Sequence, residues 1–464
     1  MKRTIETDLQ RWKNQPSRKP LLLRGVRQSG KTYLLRELFG PSFPKVHYFD
    51  LERDSTAANI FNRDSLDPEE LIKALEFISK NTIDMHSDLI ILDEIQASPR
   101  ALTSLKYFAQ DMPIAYIAAT GSLLGVSLGK GSFPVGKVSI LDVNPMSFTE
   151  FLMGINEHEA SDVLINLDFE KPLEELYHNR LWNLLAEYLT IGGMPEAVDC
   201  YSNLRYISTF QALEEVSRIM DNLVTSYLAD IAKHAGNVNS MNIAEILNNV
   251  PSQLGREING NAERFRFKGV IPGKSRYRDL AGAINWLVAS SILLKAPIAN
   301  RGEQPLSAWE SYNRFKLYLH DIGVLSTLAD VPLLKRDTFI PGFYKGWVAE
   351  NFVAQELTAS GIHQLHGWHE NKAEVEFVLQ SDGVSIPVEV KAGRRTQAKS
   401  AGIFAGKYYS PLVIKLGFWT NSITGRNRPT LKLPLYAAGL LADRGRIEQT
   451  ISFSSEVTLR SSLQ

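Results

Sequence analysis

The chain has 464 residues, which is too long for one hydrophobic core and predicts about two to four domains. Its 51 basic and 51 acidic side chains balance, which argues against a globally basic nucleic-acid coat protein but allows a local basic surface. The single cysteine, Cys200, excludes an intrachain disulfide and a cysteine cage around zinc or iron–sulfur, and it favours a cytoplasmic location. We expect neither a signal peptide nor a membrane span, because no apolar stretch has the required length.

Apolar runs alternate with amphipathic segments in the first third of the chain. We predict an initial helix within 1–19 and then strands at 21–24, 45–51, 88–95, 114–122 and 136–143. This alternation predicts an α/β fold in which a parallel sheet is covered by helices on both faces.

The loop after the first predicted strand, GVRQSGKT at 25–32, matches G-x-x-x-x-G-K-[ST]. Glycines at this spacing let backbone N–H groups cradle phosphate oxygens, and the following helix N-terminus adds partial positive charge. Lys31 is predicted to contact the β- and γ-phosphates, and Thr32 to place its hydroxyl on Mg²⁺. The residues that we predict to bind ATP in this loop are Gly25, Gln28, Ser29, Gly30, Lys31, Thr32 and Tyr33.

A second motif, LIILDEI, places Asp93 and Glu94 at the end of a buried strand. We predict that Asp93 holds Mg²⁺ and that Glu94 polarises the water that attacks the γ-phosphate. The alternative is a carboxylate pair that caps the next helix.

These motifs, followed by AATGSLLG, resemble the AAA+ and STAND branch of P-loop ATPases. The resemblance implies that Ser122, or Thr120, is a polar sensor residue near the γ-phosphate. It also implies that GGMPEAV at 192–198 is a lid element whose Pro195 packs on the nucleotide base. A simple helix break is the alternative for this segment.

Five segments together resemble one prokaryotic family of AAA+/STAND-like ATPases with a C-terminal domain of unknown function. They are RKPLLLRGVRQSGKTYLLREL, FPVGKV, PMSFTEFL, YLTIGGMPEAV and GWVAENFVAQEL. Lys137 stands where relatives often carry Arg, so no arginine finger is assigned, and Arg27 and Arg100 are weak candidates for that role. The resemblance leaves open a ring-forming homo-oligomer or a monomer.

Near the C-terminus, KAEVEFVLQSDGVSIPVEVKAG predicts two adjacent strands. Period-two alternation places Glu374 and Glu376 on one face, and Glu389 and Lys391 on one face of the next strand. With Glu350 on the preceding helix, this pattern resembles the PD-(D/E)XK nuclease core, in which carboxylates hold a metal and a lysine activates water.

Glu376 stands where the nuclease pattern usually has Asp, and Mg²⁺ demands near-ideal geometry. Three alternatives therefore remain: a working nuclease, a nuclease-like fold that only binds nucleic acid, and cross-strand Glu–Lys pairs on a solvated face. Arg394, Arg395 and Lys399 would suit phosphate contacts in the second case. We predict that His363, His366 and His369 are surface histidines and not a metal site.

A basic segment with interleaved aromatic residues lies between 256 and 278, where only Glu257 and Glu263 oppose seven basic side chains before Asp279. The pattern is typical of a DNA-binding wing, and a solvated basic loop is the alternative. The candidate DNA contacts are Arg264, Arg266, Lys268, Lys274, Arg276 and Arg278; Arg256 completes the set.

We predict a P-loop ATPase core at 1–145, a helical lid at 146–236, a winged-helix unit at 237–335 and a nuclease-like α/β domain at 336–464. The predicted function is Mg²⁺-dependent ATP binding and hydrolysis coupled to DNA binding or remodelling. Two alternatives are a nucleotide-switched signalling or scaffold protein that binds a protein partner, and an ATP-gated nuclease.

Overall fold

The computed structural model describes residues 1–122, 134–235, 237–255, 264–331, 346–391, 399–425 and 429–452. The chain forms two compact units. The first comprises Met1–Asn144 with Ala289–Ile292, and the second comprises Pro145–Val288 with Leu293–Gln464. Within the described ranges, every helix is too short or too polar to span a membrane. The bounds of the four predicted domains stay predictions.

A five-stranded sheet forms the centre of the first unit, in the order β2-β3-β4-β1-β5. Every adjacent pair of strands is parallel. The strands are β1 Leu21–Arg24, β2 Val46–Asp50, β3 Leu89–Asp93, β4 Tyr116–Gly121 and β5 Ser139–Asp142. The predicted α/β class is thus confirmed for this unit, and the parallel arrangement places the C-terminal ends of the strands at one edge.

Helices cover both faces of this sheet, as the alternation of strands and amphipathic segments predicts. They are α1 Glu6–Lys13, α2 Lys31–Tyr33, α3 Ser55–Ile60, α4 Pro68–Ser79 and α5 Pro99–Asp111, and α2 continues as a π-helical segment, Leu34–Phe39. Two separate apolar clusters form the core, one on each side of the sheet. The fully buried β3, with its sequence LIILD, contributes side chains to both clusters.

The second unit begins with a series of helices and continues with two sheets. Its helices are α6 Phe148–Gly154, α7 His158–Ile165, α8 Glu175–Ile191, α9 Pro195–Leu204, α10 Thr209–Ala235, α11 Asn237–Gly255, α12 Tyr277–Ala289, α13 Ile322–Leu328, α14 Gly346–Ala359 and α15 Lys399–Lys407. Sequence signals define several ends: Ser147 and Glu150 form a capping box at α6, and Pro195 is the first residue of α9.

One sheet of the second unit has the order β7-β6-β8-β9 and the other has the order β10-β11-β12-β14-β13. The strands of the first are β6 Leu293–Ala299, β7 Glu310–Leu319, β8 Gly367–Glu370 and β9 Ala373–Val375. Those of the second are β10 Phe377–Ser381, β11 Val384–Val390, β12 Val413–Gly417, β13 Ser422–Thr424 and β14 Thr430–Pro434.

The single strand expected at 374–379 is wrong, because the chain leaves one sheet and enters the other at Glu376. Val375 pairs with Trp368 in the first sheet, whereas Phe377 pairs with Val388 in the second. Glu376 therefore lies at the junction of the two sheets, where neither ladder includes it.

Candidate nucleotide site

The loop that follows β1 has the backbone that a phosphate cradle requires. Gln28 and Gly30 have φ angles of 63° and 88°, in the left-handed region that turns successive N–H groups toward one side. Gly25 has no room for a side chain, since an added Cβ would collide with the carbonyl oxygen of Val143. Ser29 is buried, and Tyr33 is half-exposed at the end of α2.

Lys31 is buried within this loop. Its Nζ donates hydrogen bonds to the carbonyl oxygens of Gly25, at 3.1 Å, and Val26, at 2.8 Å. Burial lowers the pKa of Lys31 to about 8, against the opposing attraction of Glu94 and Asp93. A phosphate group bound by the loop would favour the charged form, since an adjacent anion stabilises an ammonium ion.

Asp93 is the acceptor for three hydroxyl groups from three different elements. Thr32 Oγ1 lies 2.9 and 3.1 Å from its two carboxylate oxygens, and Tyr48 Oη donates to one of them at 2.7 Å. Thr120 Oγ1 also donates to this carboxylate. The order of the sheet explains the arrangement, because β4, which carries Thr120, lies between β1 and β3.

Glu94 follows Asp93 with a left-handed backbone, φ 49° and ψ 48°. Its carboxylate accepts hydrogen bonds from Gln96 Nε2 and, at 3.5 Å, from Ser122 Oγ. Burial raises the pKa of Glu94, although Gln96 and Lys31 act in the opposite direction. A strained backbone that turns a half-buried acid beside a phosphate loop is typical of a functional site.

The oxygen donors of this site suit Mg²⁺. A threonine hydroxyl and a carboxylate lie within hydrogen-bond distance of each other, next to a loop shaped for phosphate. Mg²⁺ prefers such hard oxygen ligands and usually keeps several waters and substrate phosphate oxygens as its other ligands. Thr32 and Asp93 would hold the ion, which would supply positive charge at the β- and γ-phosphates when bound.

Two further residues contribute to the site without any signal in the motifs. Tyr48 comes from β2, and the Arg36 guanidinium lies 4.5 Å from the centre of its ring. Arg3 precedes α1 and donates hydrogen bonds to the carbonyl oxygens of Asn144, at 2.7 Å, and Ser29, at 3.3 Å. Only the fold brings these distant positions to the loop.

Other residues named from the sequence lie elsewhere. Arg100 Nε donates to the carbonyl oxygen of Phe61 at 2.9 Å, so it stabilises a neighbouring turn. Pro195 belongs to the second unit, where the N–H of Gly193 donates to Asp321 at 2.6 Å. The contact that we predict between Pro195 and a nucleotide base stays a prediction.

The carboxylate–lysine cluster of the second unit consists of Lys316, Glu350, Glu374, Glu376, Glu389 and Lys391. Lys316 Nζ lies 2.9 Å from the Glu350 carboxylate and 3.5 Å from that of Glu374. Lys391 Nζ lies 2.5 Å from the Glu389 carboxylate and 4.0 Å from that of Glu376. The sequence therefore named three of the four acids, Glu350, Glu376 and Glu389, together with Lys391, and it carried no signal for Lys316.

Burial dominates the electrostatics of this cluster. It raises the pKa of Glu374 to about 7 and that of Glu376 to about 8, against the attraction of the nearby lysines. Among the described residues, no group of three or more His, Cys, Asp and Glu side chains is arranged to hold a metal ion. Two lysines already supply positive charge between these carboxylates, so the arrangement does not fit a resident metal.

The expectation of surface histidines is wrong for His366. This side chain is 2% exposed, and its Nε2 lies 2.7 Å from the Glu310 carboxylate. His369 is half-buried and its Nδ1 accepts a hydrogen bond from Arg314 at 2.9 Å.

The described part of the basic segment is a mostly exposed stretch between α11 and α12. The described part, from Arg264 on, precedes α12 and therefore does not form the loop of the β6–β7 hairpin, as a wing would. Lys274 is half-buried and the other five basic candidates are exposed. Arg256, Arg394 and Arg395 lie outside the described residues, whereas Lys399 is exposed at the start of α15.

Comparisons with known proteins agree with the geometry of the first unit. Residues 17–152 match the family model of an AAA domain, and residues 183–335 and 345–421 match two domains of unknown function, DUF8612 and DUF4143. No curated protein matches the sequence.

Among solved structures, the chain is similar to C. elegans PCH-2, with 13% identity and a TM-score of 0.27. That similarity covers 43% of this chain and 60% of the other, so it spans less than two thirds of PCH-2. The match at residues 17–152 is to an AAA domain, a class of domain that binds nucleotide, and it covers the phosphate loop and the pair Asp93–Glu94.

Proposed function

We propose that the protein hydrolyses ATP with Mg²⁺ and that hydrolysis is coupled to DNA binding or remodelling. The observation that carries the first part is the convergence of Thr32, Asp93 and Glu94 beside the phosphate loop. Lys31 binds the β- and γ-phosphates, and Thr32 and Asp93 hold the metal. Glu94 orients the attacking water, and Ser122 or Thr120 is the sensor of the γ-phosphate.

Glu94 is the residue that distinguishes hydrolysis from simple nucleotide storage. A carboxylate held by Gln96 and Ser122 at the end of β3 has a fixed orientation. The raised pKa of Glu94 lies closer to neutral pH, and a general base accepts a proton from water most effectively when its pKa is near the pH of the reaction. These contacts support the role of a general base.

The DNA part of the proposal rests on charge. Six basic side chains lie in the described stretch 264–278, and the adjacent acid, Asp279, already accepts a hydrogen bond from the backbone N–H of Arg276. Clustered Lys and Arg side chains bind the phosphate backbone and release counterions. We propose that this stretch is the DNA contact, and that the lid, winged-helix and nuclease-like domains predicted from the sequence accompany the ATPase core.

The test is the steady-state ATPase rate with and without duplex and branched DNA. We expect DNA to stimulate the wild type and Lys31→Ala to abolish turnover under both conditions, because the phosphates lose their buried cation. A rate that is independent of DNA would remove the coupling and leave the ATPase assignment intact.

A nucleotide-switched scaffold is the second candidate, and a buried polar junction in the second unit favours it. Asp321 accepts hydrogen bonds from the N–H groups of Gly193, at 2.6 Å, and Val324, at 3.0 Å. Gln355 of α14 donates to Tyr188 at 2.7 Å and accepts from the N–H of Ile322 at 2.9 Å. The junction thus links the GGMP turn to α13 and α14, so that a movement of the turn would break hydrogen bonds that hold both helices.

An ATP-gated nuclease is the third candidate. The pairing of Lys391 with Glu389 and of Lys316 with Glu350 compensates the charge that a metal would need. Plasmid cleavage by the wild type and its loss in Glu389→Ala would establish this activity. We expect no cleavage by either protein.

A further inference from the structure

Five aromatic rings of the second unit form a continuous array at the start of β7. Phe265, Phe267 and Tyr277 come from the basic segment and α12, and Tyr312 and Phe315 come from β7. Neighbouring ring centres are 5.6 to 6.2 Å apart. The array fixes the basic segment onto the strand, because the backbone N–H of Phe265 also donates to the carbonyl oxygen of Phe315 at 2.8 Å.

The array runs from the core to the surface. Phe265 is 4% exposed, whereas Tyr312 at the other end is 75% exposed. Tyr277 lies between them, with its ring centre 5.6 Å from that of Tyr312. Tyr312 is therefore an exposed aromatic ring that a neighbouring ring supports, and its orientation is partly fixed before any ligand binds.

An irregularity of β7 accounts for the exposure of Tyr312. Phe315 pairs with Pro297 and Glu310 pairs with Ala299, so residues 311–314 stand opposite Ile298 alone. Such a bulge re-aims side chains and is common at functional sites.

A lysine contacts the array, and arginines and lysines of the basic segment flank its rings along the chain. Lys295 Nζ lies 4.4 Å from the centre of the Phe315 ring and 5.8 Å from that of Tyr277. Arg264 and Arg314 both act on His369, whose pKa is lowered by burial and then by these charges. The basic candidates on the exposed stretch before α12 extend the positive surface along the chain. Two acids lie next to these cations: Glu310 lies 2.7 Å from His366 Nε2, and Asp279 lies 3.6 Å from Arg278.

We propose that this surface binds single-stranded DNA, with a base stacked on Tyr312 and phosphates on the neighbouring arginines and lysines. The inference rests on the proposed DNA coupling and specifies its substrate. A single strand exposes the faces of its bases, whereas a duplex buries them in its own stack. An exposed, supported ring among cations matches the first ligand: the ring binds the base and the cations bind the backbone.

Tyr206 offers a matched control for Tyr312. It lies in the same unit, is 73% exposed, and its ring also contacts one neighbouring side chain, Arg205, at 4.8 Å. Tyr206→Ala thus removes an exposed tyrosine with a similar loss of packing but outside the aromatic array.

The experiment is fluorescence anisotropy of the full chain with labelled oligothymidylate and with a labelled duplex of the same length, at several salt concentrations. We expect tighter binding of the single strand and roughly tenfold weaker binding of that strand by Tyr312→Ala. Tyr312→Phe keeps the ring and should keep the affinity, and Tyr206→Ala should match the wild type. Arg276→Ala should lower the slope of log affinity against log salt by about one.

The outcomes separate this inference from the proposed function. Equal affinity of Tyr312→Ala and the wild type for the single strand, or tighter binding of the duplex, would overturn the stacking surface while the DNA coupling stands. Retention of neither nucleic acid would overturn both. If the protein bound neither nucleic acid but did bind polyglutamate, the partner of the basic surface would be an acidic protein.

Discussion

The nucleotide site and the carboxylate–lysine cluster both gather buried acids, but they compensate the negative charge differently. In the first, the Asp93 carboxylate accepts hydrogen bonds from the hydroxyl groups of Thr32, Tyr48 and Thr120. In the second, Lys316 and Lys391 lie among the carboxylates as ion-pair partners. Hydroxyl groups orient a carboxylate without cancelling its charge, whereas an ammonium ion cancels it.

This difference in charge compensation indicates that the nucleotide site, and not the carboxylate–lysine cluster, is suited to bind a cation. The Asp93 carboxylate lies beside a phosphate loop, where Mg²⁺ and ATP would supply positive and negative groups together. The cluster of the second unit is already close to neutral, because two lysines and the raised pKa values of Glu374 and Glu376 reduce its net charge. We infer that the first site performs chemistry and that the second stabilises the junction of two sheets.

The largest expected effect is the loss of stability in Lys316→Met. Lys316 is 4% exposed, and its removal leaves Glu350 and Glu374 buried without their cation, which costs about 3–5 kcal/mol in comparable buried pairs. The free energy of unfolding of the second unit, measured by urea denaturation, should fall by this amount. Lys399→Met on the exposed start of α15 is the control and should change it by less than about 0.5 kcal/mol. An unchanged stability of Lys316→Met would mean that the cluster is not an ion-paired core.

The next effect is a dependence of stability on pH that originates in Glu376. Burial raises the pKa of Glu376 in the folded protein to about 8, above the ordinary pKa of a glutamate. At a pH between these two pKa values, the folded protein binds more protons than the unfolded protein. Stability should therefore fall as the pH rises from about 5 through 8. Glu376→Gln removes this titration, and its melting temperature should vary less with pH than that of the wild type. Parallel pH profiles for the two proteins would contradict the assignment.

The smallest effect concerns the hydroxyl group of Tyr48. Tyr48→Phe removes one hydrogen bond to Asp93 while the ring stays in place, a change worth about 1 kcal/mol. We expect roughly fivefold weaker Mg²⁺ affinity in the nucleotide complex, which a Mg²⁺ titration with a fluorescent ATP analogue would measure. Tyr107→Phe on α5 of the same unit should have no effect, and equal Mg²⁺ affinities of all three proteins would exclude this role for Tyr48.

The residues that the sequence names for the nucleotide site lie together in the structure, because its main parts are local. The residues at 25–32 and the pair Asp93–Glu94 are contiguous, and the apolar strands before them fix which way they face. Tyr48 and Lys316 were missed because each lies on a strand without a motif, and only sheet order brings it to its partner carboxylate.

The C-terminal region was harder to predict for a related reason. Alternation of apolar and polar residues continues through Glu376 and carries no signal that the chain changes sheets there. Likewise, the aromatic residues of the basic segment indicated a nucleic-acid surface, but the sequence could not show that all three of them pack on Phe315 and that Tyr312 of β7 is the exposed ring.

The most direct test of the account compares ATP binding and ATP turnover in Glu94→Gln. Glutamine keeps the shape of the side chain but cannot accept the proton of the attacking water. We predict that a fluorescent ATP analogue binds the variant about as tightly as the wild type, while turnover falls by roughly 100-fold or more. Turnover at the wild-type rate in Glu94→Gln would contradict the assignment of Glu94 as the general base and, with it, the proposed hydrolytic mechanism.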